Sequence, residues 1–157
     1  MKQKLIAAFL LVSLFTSPLT YSSDIDKGLE AYNQGDYQQV YEIFRPLAED
    51  GDSSAQFKLG VMNSHGQGVA QNFNEAVHWF RAAAEQGHST AMSKLGLMYV
   101  IGEGVVQDYS QAYMWFNIAA SQGDQDAVDL RDLVSDEMTP AQIQEAQRLA
   151  QEWVNSR

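Results

Sequence analysis

Three histidines, His65, His78 and His88, and 20 acidic residues are the side chains of this 157-residue chain that could hold a metal ion or move a proton. Two ligands on one helix turn their rings to a common ion when they stand at i and i+4. No histidine pair here has that spacing, and His78 and His88 lie on either side of an expected helix end. Glu49, Asp50, Asp52, Asp124 and Asp126 fall at expected helix-to-helix turns, where aspartate commonly caps a helix, and the spacing of a calcium loop is absent. Gly66-Gln67-Gly68 and Gly102-Glu103-Gly104 resemble phosphate-cradling loops only superficially. Neither follows a strand pattern, and neither leads into Lys-Ser/Thr or a dinucleotide fingerprint. There is no cysteine, no Gly-x-Ser-x-Gly and no Ser-x-x-Lys to supply an activated nucleophile. The expectation is a protein that is not an enzyme, with no catalytic residue, no metal site and no cofactor.

Two consecutive 36-residue stretches, 55–90 and 91–126, align without a gap. Matching pairs include Ala55/Ala91, Lys58/Lys94, Leu59/Leu95, Gly60/Gly96 and Met62/Met98. They continue through Gly66/Gly102, Gly68/Gly104, Val69/Val105 and Gln71/Gln107 to Trp79/Trp115, Phe80/Phe116 and Gly87/Gly123. Ala76, Trp79, Phe80, Ala83 and Ala84 recur at i, i+3, i+4, i+7 and i+8, which places them on one helix face. Ala55, Leu59 and Met62 form a shorter stripe on an earlier helix, where Gly60 would admit a close neighbour. Gly-x-Gly-Val between the two reads as a loop, so each unit is an αα-hairpin. Because Trp79 and Trp115 repeat, they read as core rather than as a ligand platform. Trp153, which does not repeat, reads as packing at the end of the chain.

A degenerate copy spans 24–54. Phe44, Ala48 and Gly51 match Phe80, Ala84 and Gly87, and the loop is about four residues shorter. Residues 127–157 close the array. Thr139-Pro140-Ala141-Gln142 starts a helix, with Thr as N-cap, Pro at the first position and Gln at the third. Ile143, Ala146, Ala150, Trp153 and Val154 then make an apolar stripe suited to a capping helix.

These motifs, A-x-x-x-L-G-x-M, G-x-G-V and A-x-x-W-F-x-x-A-A-x-x-G, twice in tandem, resemble the Sel-one-like repeat family, relatives of the tetratricopeptide repeats. The resemblance implies an all-α fold, a short right-handed α-solenoid of helix-loop-helix repeats with a C-terminal cap. It also implies a non-catalytic adaptor that binds a protein or peptide. Asn63 departs from the family pattern, which has an aromatic there, and is expected to pack weakly or face solvent. Carrying the tetratricopeptide inner-face positions across selects Phe57, Val61, Ser64 and His65, then Ser93, Leu97, Val100 and Ile101, and Leu29 and Tyr32 in the degenerate copy. Within each of the two clear repeats these residues share one helical face, apolar for a surface, as a docking groove would be. The C-terminal helix or the other half of a homodimer is the alternative occupant.

Residues 1–22 have the layout of a secretory signal: Lys2 and Lys4, an apolar run from Leu5 to Phe15, then small residues with cleavage after Ser22. The run is too short for a comfortable membrane span. The expectation is a single domain over 23–157, periplasmic or secreted, monomer or homodimer, with no stable membrane span after cleavage. A net charge of −10 argues against nucleic acid, which needs a basic face. The competing reading is a periplasmic cell-wall-binding protein or a β-lactam- or peptidoglycan-hydrolase-like enzyme. Enzyme-like exported relatives are cysteine-rich, and this chain has no cysteine.

Overall fold

The computed structural model describes residues 18–157, with side chains from Ser22 onward. Among the described residues there are helices and no strands: α1 (Pro18–Gln34), α2 (Tyr37–Glu49), α3 (Ser53–His65), α4 (Phe73–Glu85), α5 (Ser89–Ile101), α6 (Tyr109–Ser121), α7 (Gln125–Ser135) and α8 (Pro140–Asn155). Each helix packs on the next through α7, after which α8 doubles back onto α6. The result is an α-solenoid of hairpins α1–α2, α3–α4 and α5–α6, followed by α7 and α8. Most of the expected signal segment lies outside the described residues. Its last five, 18–22, form the start of α1.

The same contact locks all three hairpins. A methyl group added at Gly28, Gly60 or Gly96 would lie 2.4, 2.5 or 2.6 Å from the ring of Phe44, Phe80 or Phe116, respectively. In each hairpin the second-helix phenylalanine is thus seated on a first-helix glycine that leaves room for it. The degenerate copy keeps this lock although its loop is four residues shorter (44 − 28 = 16, against 80 − 60 = 20).

Helix starts also keep the 36-residue register. Asp36, Asn72 and Asp108 cap α2, α4 and α6, each accepting from the backbone N–H three residues on. Asp52, His88 and Asp124 do the same for α3, α5 and α7. Each such cap contributes about 1 kcal/mol. His88 therefore holds a scaffold position, although its mismatch with Asp124 reads otherwise in the sequence. Between the helices, Gly68 (φ 72°) and Gly104 (φ 71°) press against the backbone at Tyr37 and Phe73. A methyl group there would lie 2.2 and 2.3 Å from those carbonyl oxygens, so each loop sits on the start of the preceding repeat's second helix. Gln71 and Gln107 fasten the loops by donating to the Ser64 and Val100 carbonyls at 2.8 and 2.7 Å.

Asn63 is neither loose nor at the surface. It is 3% exposed, and its Nδ2 donates to the Leu59 carbonyl at 2.8 Å, so its polar end is satisfied within its own helix. Trp79 and Trp115 are buried, as their repetition suggests.

At the far end, α8 begins with a complete capping box between Thr139 and Gln142. Ala146 and Ala150 are buried, Trp153 meets Trp115 edge-on at 5.8 Å, and Gln147 donates to the Tyr113 hydroxyl at 3.1 Å. Val154, expected on the same stripe, is 47% exposed. The contacting line runs 143, 146, 150, 153, and the next residue is turned away by the helical period.

Candidate functional site

First helices carry two faces. One holds Ala55, Leu59 and Met62 in α3, or Ala91, Leu95 and Met98 in α5, and is buried against neighbouring helices. The other opens on two adjoining cavities. The first, of 460 Å³, lies between α1, α2, α3 and the start of α5. The second, of 240 Å³, lies between α3, α4 and α5. Val61 and His65 line both, so the two form one groove.

Of the expected face residues, Tyr32, Phe57, Val61 and His65 line the first cavity, and Val61, Ser64, His65, Leu97 and Ile101 the second. Three others stand apart. Ser93 is buried at 7% exposure and donates to Asp124 at 2.9 Å, so it ties α5 to the start of α7 instead of facing the groove. Val100 packs against the core around Val134 and Met138. Leu29 is 47% exposed on α1 and extends the apolar face one turn before Tyr32 without lining a cavity. No residue of α7 or α8 lines either cavity, so the C-terminal helix does not occupy the groove. It covers α6 instead.

Sequence reasoning passed over Tyr37, Lys58 and His88, which also line the first cavity. Tyr37 opens the second helix of the degenerate copy and meets Tyr32 edge-on at 5.7 Å. The inner-face transfer considered only first helices and could not select it. His88 stacks on Phe57 with ring centroids 4.7 Å apart. Its Nδ1 accepts from the Ala91 N–H at 3.3 Å, a role open only to a ring without a proton on that nitrogen. Burial pushes the His88 pKa down, against the smaller opposing pull of its backbone hydrogen bond and of Asp52. Lys58 recurs as Lys94 and was readable only as a scaffold match. Its ammonium lies 4.6 Å from the Phe44 ring centroid and 5.5 Å from that of Tyr32. Burial lowers its pKa, and among the described residues no carboxylate lines the cavity around it.

Chemically, the groove offers aromatic and aliphatic walls and two imidazoles, with the half-buried Lys58 in the first cavity and Lys94 and Glu103 in the second. Among the described residues no group of three His, Asp or Glu side chains gathers to hold a metal ion.

A family model described as the Sel1 repeat matches residues 53–88 and 89–124. The chain carries two Sel1 repeats. The matched repeats begin at the first residues of α3 and α5, two positions before the boundaries expected from internal alignment. No curated protein matches the sequence. Among solved structures, the chain is similar to a protective antigen of uropathogenic Escherichia coli strains displaying an SLR fold, at 32% identity and a TM-score of 0.80 over 85% of this chain and 30% of that one. It is also similar to a Sel1 repeat protein from Oxalobacter formigenes, at 28% identity and a TM-score of 0.69 over 87% of this chain and 61% of that one. Helicobacter pylori cysteine rich protein B shares the fold, at 18% identity and a TM-score of 0.58, over 71% of this chain and 94% of that one. The chain therefore spans about a third of the first relative and under two thirds of the second. Sel1 repeats are generally protein-interaction modules and are typically not enzymatic. Among the described residues no helix is long and apolar enough to cross a membrane.

Proposed function

We propose that this chain is a non-catalytic adaptor that binds an extended or helical segment of a partner protein in the groove along α1, α3 and α5. The observation that carries the reading is the pair of joined cavities, 460 and 240 Å³, walled largely by apolar side chains and left uncovered by the capping helix. Apolar surface kept open in a folded chain costs solvation free energy, about 25 cal/mol per Å², which a docked segment recovers. The exposed ends of the groove, Tyr32 at 50% and Ile101 at 60%, are the contacts by which a partner would first be felt.

The chain acts as a monomer or homodimer, exported to the periplasm or beyond, with residues 23–157 as one domain. The secretory layout of residues 1–22 supports export.

The test is affinity capture from the native cell envelope with wild type, Ile101→Asp, Tyr32→Asp and Val106→Asp, the last an 88%-exposed loop position off the groove. A partner retained by wild type and Val106→Asp but lost from both groove variants supports the reading. A partner held equally by all four would refute it.

A further inference from the structure

We propose that Lys58 makes the groove selective for a partner segment that carries an acidic side chain between apolar ones. The inference rests on the groove reading above and names the chemistry of its occupant.

Lys58 is a half-buried cation whose ammonium lies over two aromatic rings. Aromatic faces attract a cation but replace only part of its lost hydration. In this chain acidic residues outnumber basic ones 20 to 10, yet no Asp or Glu lines the first cavity. Lys58 is the one lysine or arginine among the described residues that line this cavity, set among aromatic and aliphatic walls and the side chains of Ser54, His65, Gln67 and His88, so the site's missing component is an anion. A carboxylate arriving there gains a charge-assisted hydrogen bond in surroundings that screen it less than water does.

Position selects the source of that carboxylate. Lys58 stands midway along the apolar face. Leu29 and Tyr32 of α1 continue the face on one side, and Leu97 and Ile101 of α5 continue it on the other. A segment lying across the whole face passes Lys58 in mid-chain, where only a side chain can present an anion. The second cavity holds the equivalent Lys94 together with Glu103, so the preference for a negative charge is confined to the first. Charge also excludes this chain's own first 17 residues as the natural complement, because they contain Lys2 and Lys4 and no acid.

The probe is an array of acetylated, amidated peptides in triplets identical except for a central glutamate, glutamine or lysine, with flanks drawn from leucine, isoleucine, phenylalanine and serine. The full chain is the analyte. Wild type is expected to bind glutamate members about tenfold more tightly than their glutamine partners, the worth of one charge-assisted hydrogen bond. Lys58→Met is expected to bind both at the glutamine level, and Lys58→Glu to favour the lysine members. Should Lys58→Met melt below the assay temperature, Lys58→Gln replaces it.

Equal binding of glutamate and glutamine members, with Ile101→Asp weakening both, would overturn the role of Lys58 and leave the groove standing. No retained peptide, or retention indifferent to Ile101→Asp, would remove the groove reading and this inference together. A second copy of the array with free C-terminal carboxylates, if bound where the amidated copy is not, would overturn the side-chain assignment. So would a self-association of wild type that Lys58→Met abolishes, since the occupant would then be a second copy of this chain.

Discussion

Replacing Gly96 by alanine should destabilise the protein, although helix propensity predicts the opposite. Alanine in a helix interior gains about 0.5–1 kcal/mol over glycine by restricting the unfolded chain. Here the new methyl would stand 2.6 Å from Phe116 Cε1 and 2.9 Å from two further ring carbons. Ordinary van der Waals contact begins near 3.4 Å, so the ring must retreat by about 0.8 Å (3.4 − 2.6). Phe116 is fully buried and backs onto Ala112, Tyr113, Val134, Met138 and Ala146, which leave it nowhere to go. Overpacking of this kind costs about 1–3 kcal/mol. The net loss is therefore about 0.5–2 kcal/mol, or roughly 2–8 °C in Tm for a domain of this size. Thermal and urea unfolding followed by circular dichroism would measure it. Adding Phe116→Leu removes the clash, so the double variant should lose about 1 kcal/mol less than the sum of the singles. A Gly96→Ala variant that melts above wild type, or a strictly additive cycle, would refute the glycine–phenylalanine lock.

Asp124→Ala removes the α7 cap and the acceptor of buried Ser93, and should cost about 1–3 kcal/mol, whereas Asp124→Asn keeps the cap acceptor on Oδ1 and offers Nδ2 as a donor to the Ser93 hydroxyl, which then accepts, and should cost clearly less; urea unfolding separates the two. His88 should titrate below the ordinary histidine value of 6.5 in an NMR pH series. Since its folded pKa is depressed, its contribution is fully present above pH 6.5 and is lost as pH falls through the folded pKa, so a His88→Asn variant should show a weaker loss of Tm on acidification over that window. A His88 titration at or above 6.5 would contradict the burial that holds it neutral.

Much of the scaffold was legible because the chain states it twice. Ala76, Trp79, Phe80, Ala83 and Ala84 fall at helical spacing and recur, and all are buried. Thr139-Pro140-Ala141-Gln142 encodes a capping box that local hydrogen bonds alone can form. Asn63 was misjudged because comparison with an aromatic at that position says nothing of a side chain folding back to bond its own helix. Ser93 could not be placed from spacing, since its burial follows from Asp124, 31 residues on, being both cap and acceptor. The groove was half legible. Its first-helix residues come from the tetratricopeptide resemblance, but Tyr37, Lys58 and His88 reach it from an adjoining helix, a scaffold position and a helix cap. Only three-dimensional packing brings those together.

The central claim is that partners dock on the first-helix groove. Photo-crosslinking amino acids placed singly at Tyr32, Ile101 and Val106, with irradiation in living cells, test it most directly. The account predicts one and the same protein adduct from Tyr32 and Ile101 and none from Val106. Adducts from Val106 alone, or unrelated adducts from the two groove positions, would contradict it.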